Sequence, residues 1–409
     1  MSSLRGVNIK EGKIGANVAG DGREFGIIGN GVAVVGKLAL ATHYELRRPS
    51  DAVALGIDAA YDTTNSVNVF RHITEFYRMA GEGKKLHLLV CAQTVMIDEM
   101  TDLAKTLAVA AEGTISDMAF VFNPAVAYVE TLVDGMNADV MAAIPVLQAF
   151  ADWADENDMP LHTILEGRGM GDTLAALADL RDMAAEYEKV TVVVGQDWGY
   201  ADGLSTLGKK FADVGTFLGV IASQAWNRNP GEVASQNLTN AALGAWITAG
   251  MSNHKKYSEV YADLLGMDEK GYVFPLRYMG ATGHWWNDGH TCAPIINDAA
   301  GNMNQHTIYY SHTIDETKRA LRIKYLPEVK KPVVLDEDGK LPASIIDYYD
   351  ALGDSVFETL AGKELISDGK TSTDPDSDLL IEKTLQIQFA VVPTGCVNEI
   401  VGTINLKNQ

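Results

Sequence analysis

The chain has 409 residues, 47% hydrophobic and 21% charged, with a formal net charge of −21. That length suffices for one large core or two to three domains, and the composition is that of an ordinary globular protein. So much negative charge repels phosphate backbones and anionic headgroups, which argues against nucleic acid and membrane surfaces as partners.

Its three cysteines, Cys91, Cys292 and Cys396, are far apart and form no CxxC pair. This argues against a disulfide framework and for synthesis in a reducing cytosol. The N-terminal MSSLRGVNIKEGKIG carries no apolar run of signal-peptide type. No run of about 18 apolar residues occurs, so no membrane insertion is expected.

In chain order, residues 1–20 are glycine-rich and weakly alternating, with Val7 and Ile9 on one side, and predict an extended arm. FGIIGNGVAVVGKLAL, from residue 25, is β-branched with interleaved glycines and predicts one or two buried strands. Residues 49–81 predict helix, with Ser50 or Asp51 as its N-cap. Strands are then expected over 86–92, 116–122, 161–165 and 190–194, alternating with helices over 98–112, 138–157 and 172–188. Pro145 should kink or break the second of these helices, and Asp172 should cap the third. Residues 211–226 predict a helix apolar nearly all round. Gly215, Gly219 and Ala222 form a smooth stripe on it, where another element can approach closely.

Short apolar strands alternating with helices imply a doubly wound, mostly parallel sheet covered on both faces. After Tyr257 aromatic and turn residues dominate, followed by helices near 314–326 and 344–360. SDGKTSTDPDSDL, residues 367–379, predicts a flexible loop. The chain closes with period-two alternation through Leu385, Ile387, Phe389 and Val391. A Pro393-Thr-Gly395 turn follows, then a second alternation through Ile400, Ile404 and Leu406. That pattern predicts a terminal hairpin or strand pair. The expected fold class is α/β: a mixed, largely parallel βα core with an additional α+β part and extended terminal β arms. The expected divisions are 1–20, 21–255, 256–380 and 381–409.

Four motifs are candidates for chemistry. GVAVVGK (31–37) has P-loop spacing up to its lysine, but Leu38 stands where magnesium needs Ser or Thr, so a core strand is the preferred reading. GDGREFG (20–26) precedes a strand rather than following one, so it reads as a turn. Glu166, Asp172 and Asp197 follow expected parallel strands, where α/β enzymes bind ligands, yet no nucleophile elbow or paired ligand set accompanies them. GHWWNDGHTC (283–292) offers His284, Asp288, His290 and Cys292 as metal ligands. Against this, Asn287-Asp288-Gly289 is a strong turn signal. A hairpin with Trp285 and Trp286 on opposite faces, one inward and one free to anchor a partner, is the preferred reading. No metal or cofactor is therefore expected. The alternative is an α/β enzyme with a carboxylate or metal site at its strand ends.

Taken in order, five stretches resemble the contractile tail sheath family of contractile phages, R-type pyocins and related injection systems. They are REFGIIGNGVAVVG with PSDAVALGI, DVGTFLGVIASQAWNRNPGEVASQNL, MGATGHWWNDGHTCAP, HTIYYSHTIDETKRALR and LQIQFAVVPTGCVNEIVGTINL. The resemblance implies a non-catalytic subunit, made in the bacterial cytoplasm, that polymerises as a helical tube around an inner tail tube protein and contracts. It implies baseplate and tail-terminator proteins as further partners and an assembled particle as its location. It also implies terminal strands that complete sheets in neighbouring subunits, here carried by Val7, Ile9, Leu385, Ile387, Phe389, Ile400, Ile404 and Leu406. The chain is short for the family, which implies a sheath with few outer decorations.

Overall fold

The computed structural model describes residues 22–407, so the expected arm with Val7 and Ile9 lies outside the described residues. Two compact units are present. Of the described residues, the first comprises 22–226 together with 230–315, the second 227–229 together with 316–407.

Continuous apolar runs fold as strands buried on both faces. In the first unit β1 (Glu24–Gly31), β2 (His43–Leu46), β3 (Leu86–Ala92), β4 (Ile115–Val121), β7 (His162–Glu166) and β8 (Val190–Val193) form one sheet, between which β5 (Leu132–Val133) and β6 (Met136–Asn137) make a small hairpin. The sheet order is β2-β3-β1-β4-β7-β8. All neighbours are parallel except the edge strand β2, which is antiparallel to β3. Side chains alternate between two cores. On one face Phe120, Leu165 and Val192 pack with Leu107, Leu147 and Phe150 of α4 (Thr101–Ala110) and α5 (Ala138–Glu156). On the other, Ile27, Leu88 and Val90 pack with Ile73, Phe76, Phe217 and Leu218 of α3 (Val69–Ala80) and α7 (Val214–Ser223). The stripe on α7 meets α3 so closely that a Cβ on Gly215 would lie 2.4 Å from the His72 carbonyl oxygen.

Several expectations need correction. Residues 49–81 are three helices, α1 (Pro49–Ala54), α2 (Ala59–Asn65) and α3, separated where Gly56 takes φ +83° and Ser66 φ +53°. The cap of α1 is Arg48, with Pro49 at the first helical position; Asp51 reaches back to the Arg47 N–H at 2.9 Å. α5 runs unbroken through Pro145. After β1 the chain leaves the sheet instead of continuing as a core strand. The Tyr61 hydroxyl bonds both the N–H and the C=O of Val32, Val34 N–H turns back to the Leu38 carbonyl, and Val35 is fully exposed.

The helix expected over 172–188 does not form; only residues 174–176 make a short 3-10 turn, and Asp172 caps nothing. Its backbone groups are claimed from elsewhere. Ala178 N–H bonds Asp134 O, Leu180 N–H bonds Lys270 O, and Lys270 Nζ takes the carbonyls of Ala175 and Leu177. Leu174, Leu177 and Leu180 are buried as expected, but by a chain wrapped over the surface of the core.

The remainder of the first unit holds the antiparallel pair β9 (Gly195–Asp197) and β10 (Ala249–Met251), helices α6 (Trp198–Asp202) and α8 (Leu264–Glu269), and the pair β11 (Pro275–Leu276) and β12 (Trp285–Trp286). Helix α9 (Ile308–Tyr325) follows. In the second unit α10 (Ala343–Gly362) packs on a two-stranded antiparallel sheet of β13 (Asp368–Thr373) and β14 (Ile387–Val392). Residues 368–373, expected as part of a flexible loop, are thus a strand, because Thr371 and Thr373 are buried and Gly369 lies against the ring of Phe357.

Candidate functional site

The stretch 283–292 does not turn back on itself. Trp285 and Trp286 pair with Leu276 and Pro275, His290 bridges to Thr307, and Cys292 bridges to Tyr187. Both tryptophans are buried, so neither is free to anchor a partner. Trp286 packs edge-on against Phe217 and Trp246, and Trp285 Nε1 donates to the Val233 carbonyl at 3.0 Å. The four proposed ligands diverge. His284 Nδ1 lies 3.1 Å from both Thr239 Oγ1 and the Trp246 carbonyl. Asp288 Oδ1 accepts from Gly289 N–H at 2.6 Å. His290 spans Arg181 Nη2 at 2.7 Å and Asp268 Oδ1 at 2.9 Å. Cys292 is fully buried, and burial pushes its thiol well up. Among the described residues no group of three or more such side chains converges as a metal site.

The strand-end carboxylates are also separated in role. Glu166 Oε2 accepts from Phe122 N–H at 2.7 Å and Oε1 from Ala212 N–H at 3.1 Å. Burial nevertheless pushes its pKa up to about 7, against the pull of Arg168 and those two N–H groups. Asp172 lies at the surface beside Lys255. Asp197 caps α6 through Tyr200 N–H and accepts from Trp246 N–H at 2.9 Å.

Asp197 belongs to a network that sequence reasoning missed. Arg71 of α3 contacts Asp213 through Nε at 3.1 Å, Asp197 at 3.3 Å and Glu75 at 3.4 Å, and stacks over Tyr200. Arg78 closes on Glu75 at 2.6 Å. Burial would raise Glu75, but Arg71 and Arg78 hold it below its ordinary value. The network floors a 410 Å³ cavity beside Leu243 and Gly244. Its sequence signal was limited to Arg71, Glu75 and Arg78 recurring at helical spacing on α3. With every charge facing an opposite one, its chemistry is that of a structural clamp between α3, β9 and the start of α7.

The assembly candidates lie in the second unit. β13 and β14 make a sheet of only two strands, so each has an outer edge. The outer edge of β13 is occupied: its Thr371 and Thr373 N–H groups donate to Asp354 Oδ1 (2.9 Å) and Asp350 Oδ1 (2.7 Å) of α10. On β14 the even positions face β13, as the bonds from Ser367 N–H to Val392 O and Asp374 N–H to Gln386 O show. Antiparallel alternation therefore turns the backbone of Ile387, Phe389 and Val391 to the outer edge. Leu385 precedes the strand. Beyond it the expected terminal hairpin is absent, since residues 393–407 form no helix or strand. Ile400 (88%), Ile404 (96%) and Leu406 (102%) are almost wholly exposed.

No curated protein matches the sequence. Solved structures match it over essentially the whole chain. A chain of the contracted anti-feeding prophage helical sheath is 11% identical, with 99% of each chain covered and a TM-score of 0.58. A chain of the six-fold symmetrised anti-feeding prophage baseplate is 12% identical, with 100% of each covered and a TM-score of 0.59. The contracted sheath of an extracellular contractile injection system matches at 9% identity, with 100% of this chain and 99% of that chain covered and a TM-score of 0.50. The fold is therefore that of contractile sheath proteins. Residues 6–290 match the family described as DUF2586, N-terminal domain; as that is more than half its length, the chain belongs to the DUF2586 family.

Proposed function

We propose that this chain is a structural subunit of a contractile tail sheath. It polymerises as a helical tube around an inner tail tube protein, between baseplate and tail-terminator partners, and contracts to drive that tube through a target envelope. Its place is the assembled particle, and it works without catalysis or cofactor. The observation that carries this reading is the likeness to a contracted sheath chain over 99% of both chains.

The second unit offers a physical means of assembly. An open strand edge presents unpaired N–H and C=O groups, and an extended segment of another copy gains a row of hydrogen bonds by pairing there. With the β13 edge occupied by Asp350 and Asp354, strand addition is directed to Ile387, Phe389 and Val391 on β14. The exposed apolar residues Ile400, Ile404 and Leu406, together with Val7 and Ile9, are the segments proposed to add. A head-to-tail contact of this kind that does not close produces a helix.

Electron microscopy of the purified chain is the test. Tubules or stacked rings are expected, and deletion of residues 396–409 should leave a folded subunit that does not polymerise. A chain that stays monomeric at every concentration would overturn the reading.

A further inference from the structure

We propose that His43, His87 and Glu24 form a proton-operated latch that fastens the edge strand β2 to the sheet and releases it on acidification. His43 opens β2, and His87 stands opposite Glu45 in the β2–β3 register. His43 Nε2 lies 2.8 Å from His87 Nδ1, with the rings stacked at 5.0 Å. The other nitrogen of His87 lies 2.7 Å from Glu24 Oε2 on β1. Thr114 donates to the same carboxylate, and Lys85 meets its second oxygen at 2.6 Å. His87 is only 2% exposed, whereas His43 is partly open to solvent.

Counting protons gives the device its threshold. Ionised Glu24 only accepts, so His87 Nε2 carries a hydrogen. One hydrogen then serves the gap between His43 and His87, donated by His43 to His87 Nδ1. An added proton goes to the outer nitrogen of His43 and leaves that bond intact, but it sets a positive charge in the partly buried cluster, a cost that is relieved when β2 comes away. The charges facing the pair are Glu24 from β1, Lys85 just before β3 and Glu45 from β2. Burial, His87 and Lys85 resist charging of His43, while Glu45 favours it. β2 is four residues long and paired on one side only, so the side-chain tie adds to what its short ladder and the buried Leu46 supply.

Hydrogen exchange on the full chain between pH 7.5 and 4.5 tests this, reading the β2 amides relative to those of α5 to remove the intrinsic pH dependence. In the unmodified chain, relative protection of β2 should fall by up to about tenfold per pH unit as pH drops below the ordinary imidazole range, where a released His43 takes up the proton that the closed pair resists. In His43→Gln the side-chain amide still donates to His87 but cannot titrate, so protection should stay flat. In Glu24→Gln the counter-charge is lost, and opening should move to higher pH. Constant relative protection in the unmodified chain, or the same fall in His43→Gln, would overturn the proposal. The unmodified chain alone decides the matter if a variant does not fold.

Discussion

Replacing Gly215 by alanine sets two known effects against each other. On an exposed helix the change would stabilise by about 1 kcal/mol through helix propensity. Here the new methyl would sit 2.4 Å from the His72 carbonyl oxygen, 2.6 Å from its Cα and 2.8 Å from its carbonyl carbon. Carbon contacts are comfortable at about 3.5 Å or more, so the methyl is short of room by roughly 1 Å. The obstructing atoms are backbone of a buried helix and cannot rotate away. Separating α3 from α7 would also stretch the 3.2 Å bond from Gly215 N–H to His72 Nδ1. Overpacking costs about 1–3 kcal/mol, so once the propensity gain is subtracted a net destabilisation of up to about 2 kcal/mol is expected. Urea unfolding followed by tryptophan fluorescence is the assay. All six tryptophans lie in the first unit, so the signal reports that unit alone. A midpoint unchanged or raised in Gly215→Ala would refute the packing argument. Gly219→Ala, 2.6 Å from the Phe76 carbonyl oxygen, should behave alike. The double variant should cost less than the sum, since helices already parted accept the second methyl more easily.

Glu166→Gln tests a buried carboxyl. With its folded pKa raised to about 7, protonation of Glu166 contributes stability that is fully present below its unfolded pKa and lost as pH rises through 7. Gln cannot provide this, so its penalty should be greatest near pH 4.5 and shrink by up to about 1.4 kcal/mol per unit as pH rises towards 7; a pH-independent penalty in melting experiments would contradict the assignment. His72 runs the other way. Burial and Arg71 lower it to about 3, so its contribution is present above pH 6.5 and lost as pH falls towards 3, and His72→Gln should flatten the acid limb of the stability curve. Asp354→Ala leaves the N–H of buried Thr371 without its acceptor and should cost about 1–3 kcal/mol, read as faster hydrogen exchange over residues 368–373 with the first unit unaffected. It should also open a second strand edge, so that polymers formed by this variant become irregular in micrographs.

How much was legible follows from where each element finds its partners. The runs 86–92 and 190–194 are apolar at every step because both faces of a parallel strand are covered, and that requirement is written locally. The stripe on α7 was equally local: only small residues permit the approach of α3, whatever supplies the partner. Periodicity failed where distant groups competed for the backbone. Residues 172–188 have the leucine spacing of a helix, but Asp134, Lys270 and Tyr272 take the hydrogen bonds a helix would need. Asn287-Asp288-Gly289 has the chemistry of a hairpin turn, yet Pro275 and Leu276 capture the strand before it. The polar string at 368–373 looked like loop because its burial is supplied by Phe357 and its edge by two aspartates of α10.

The amino-acid sequence by itself determined that this is an acidic α/β protein with a mostly parallel sheet, and its order of motifs already resembled a sheath protein. Only the tertiary structure decided that the histidines near residue 290 diverge, that both neighbouring tryptophans are core, and that among the described residues one edge of the terminal sheet is closed while the other is open. Side-chain period is a property of neighbours in the chain. Convergence of ligands and the capping of a strand edge depend on residues far apart in sequence, and no local pattern records them.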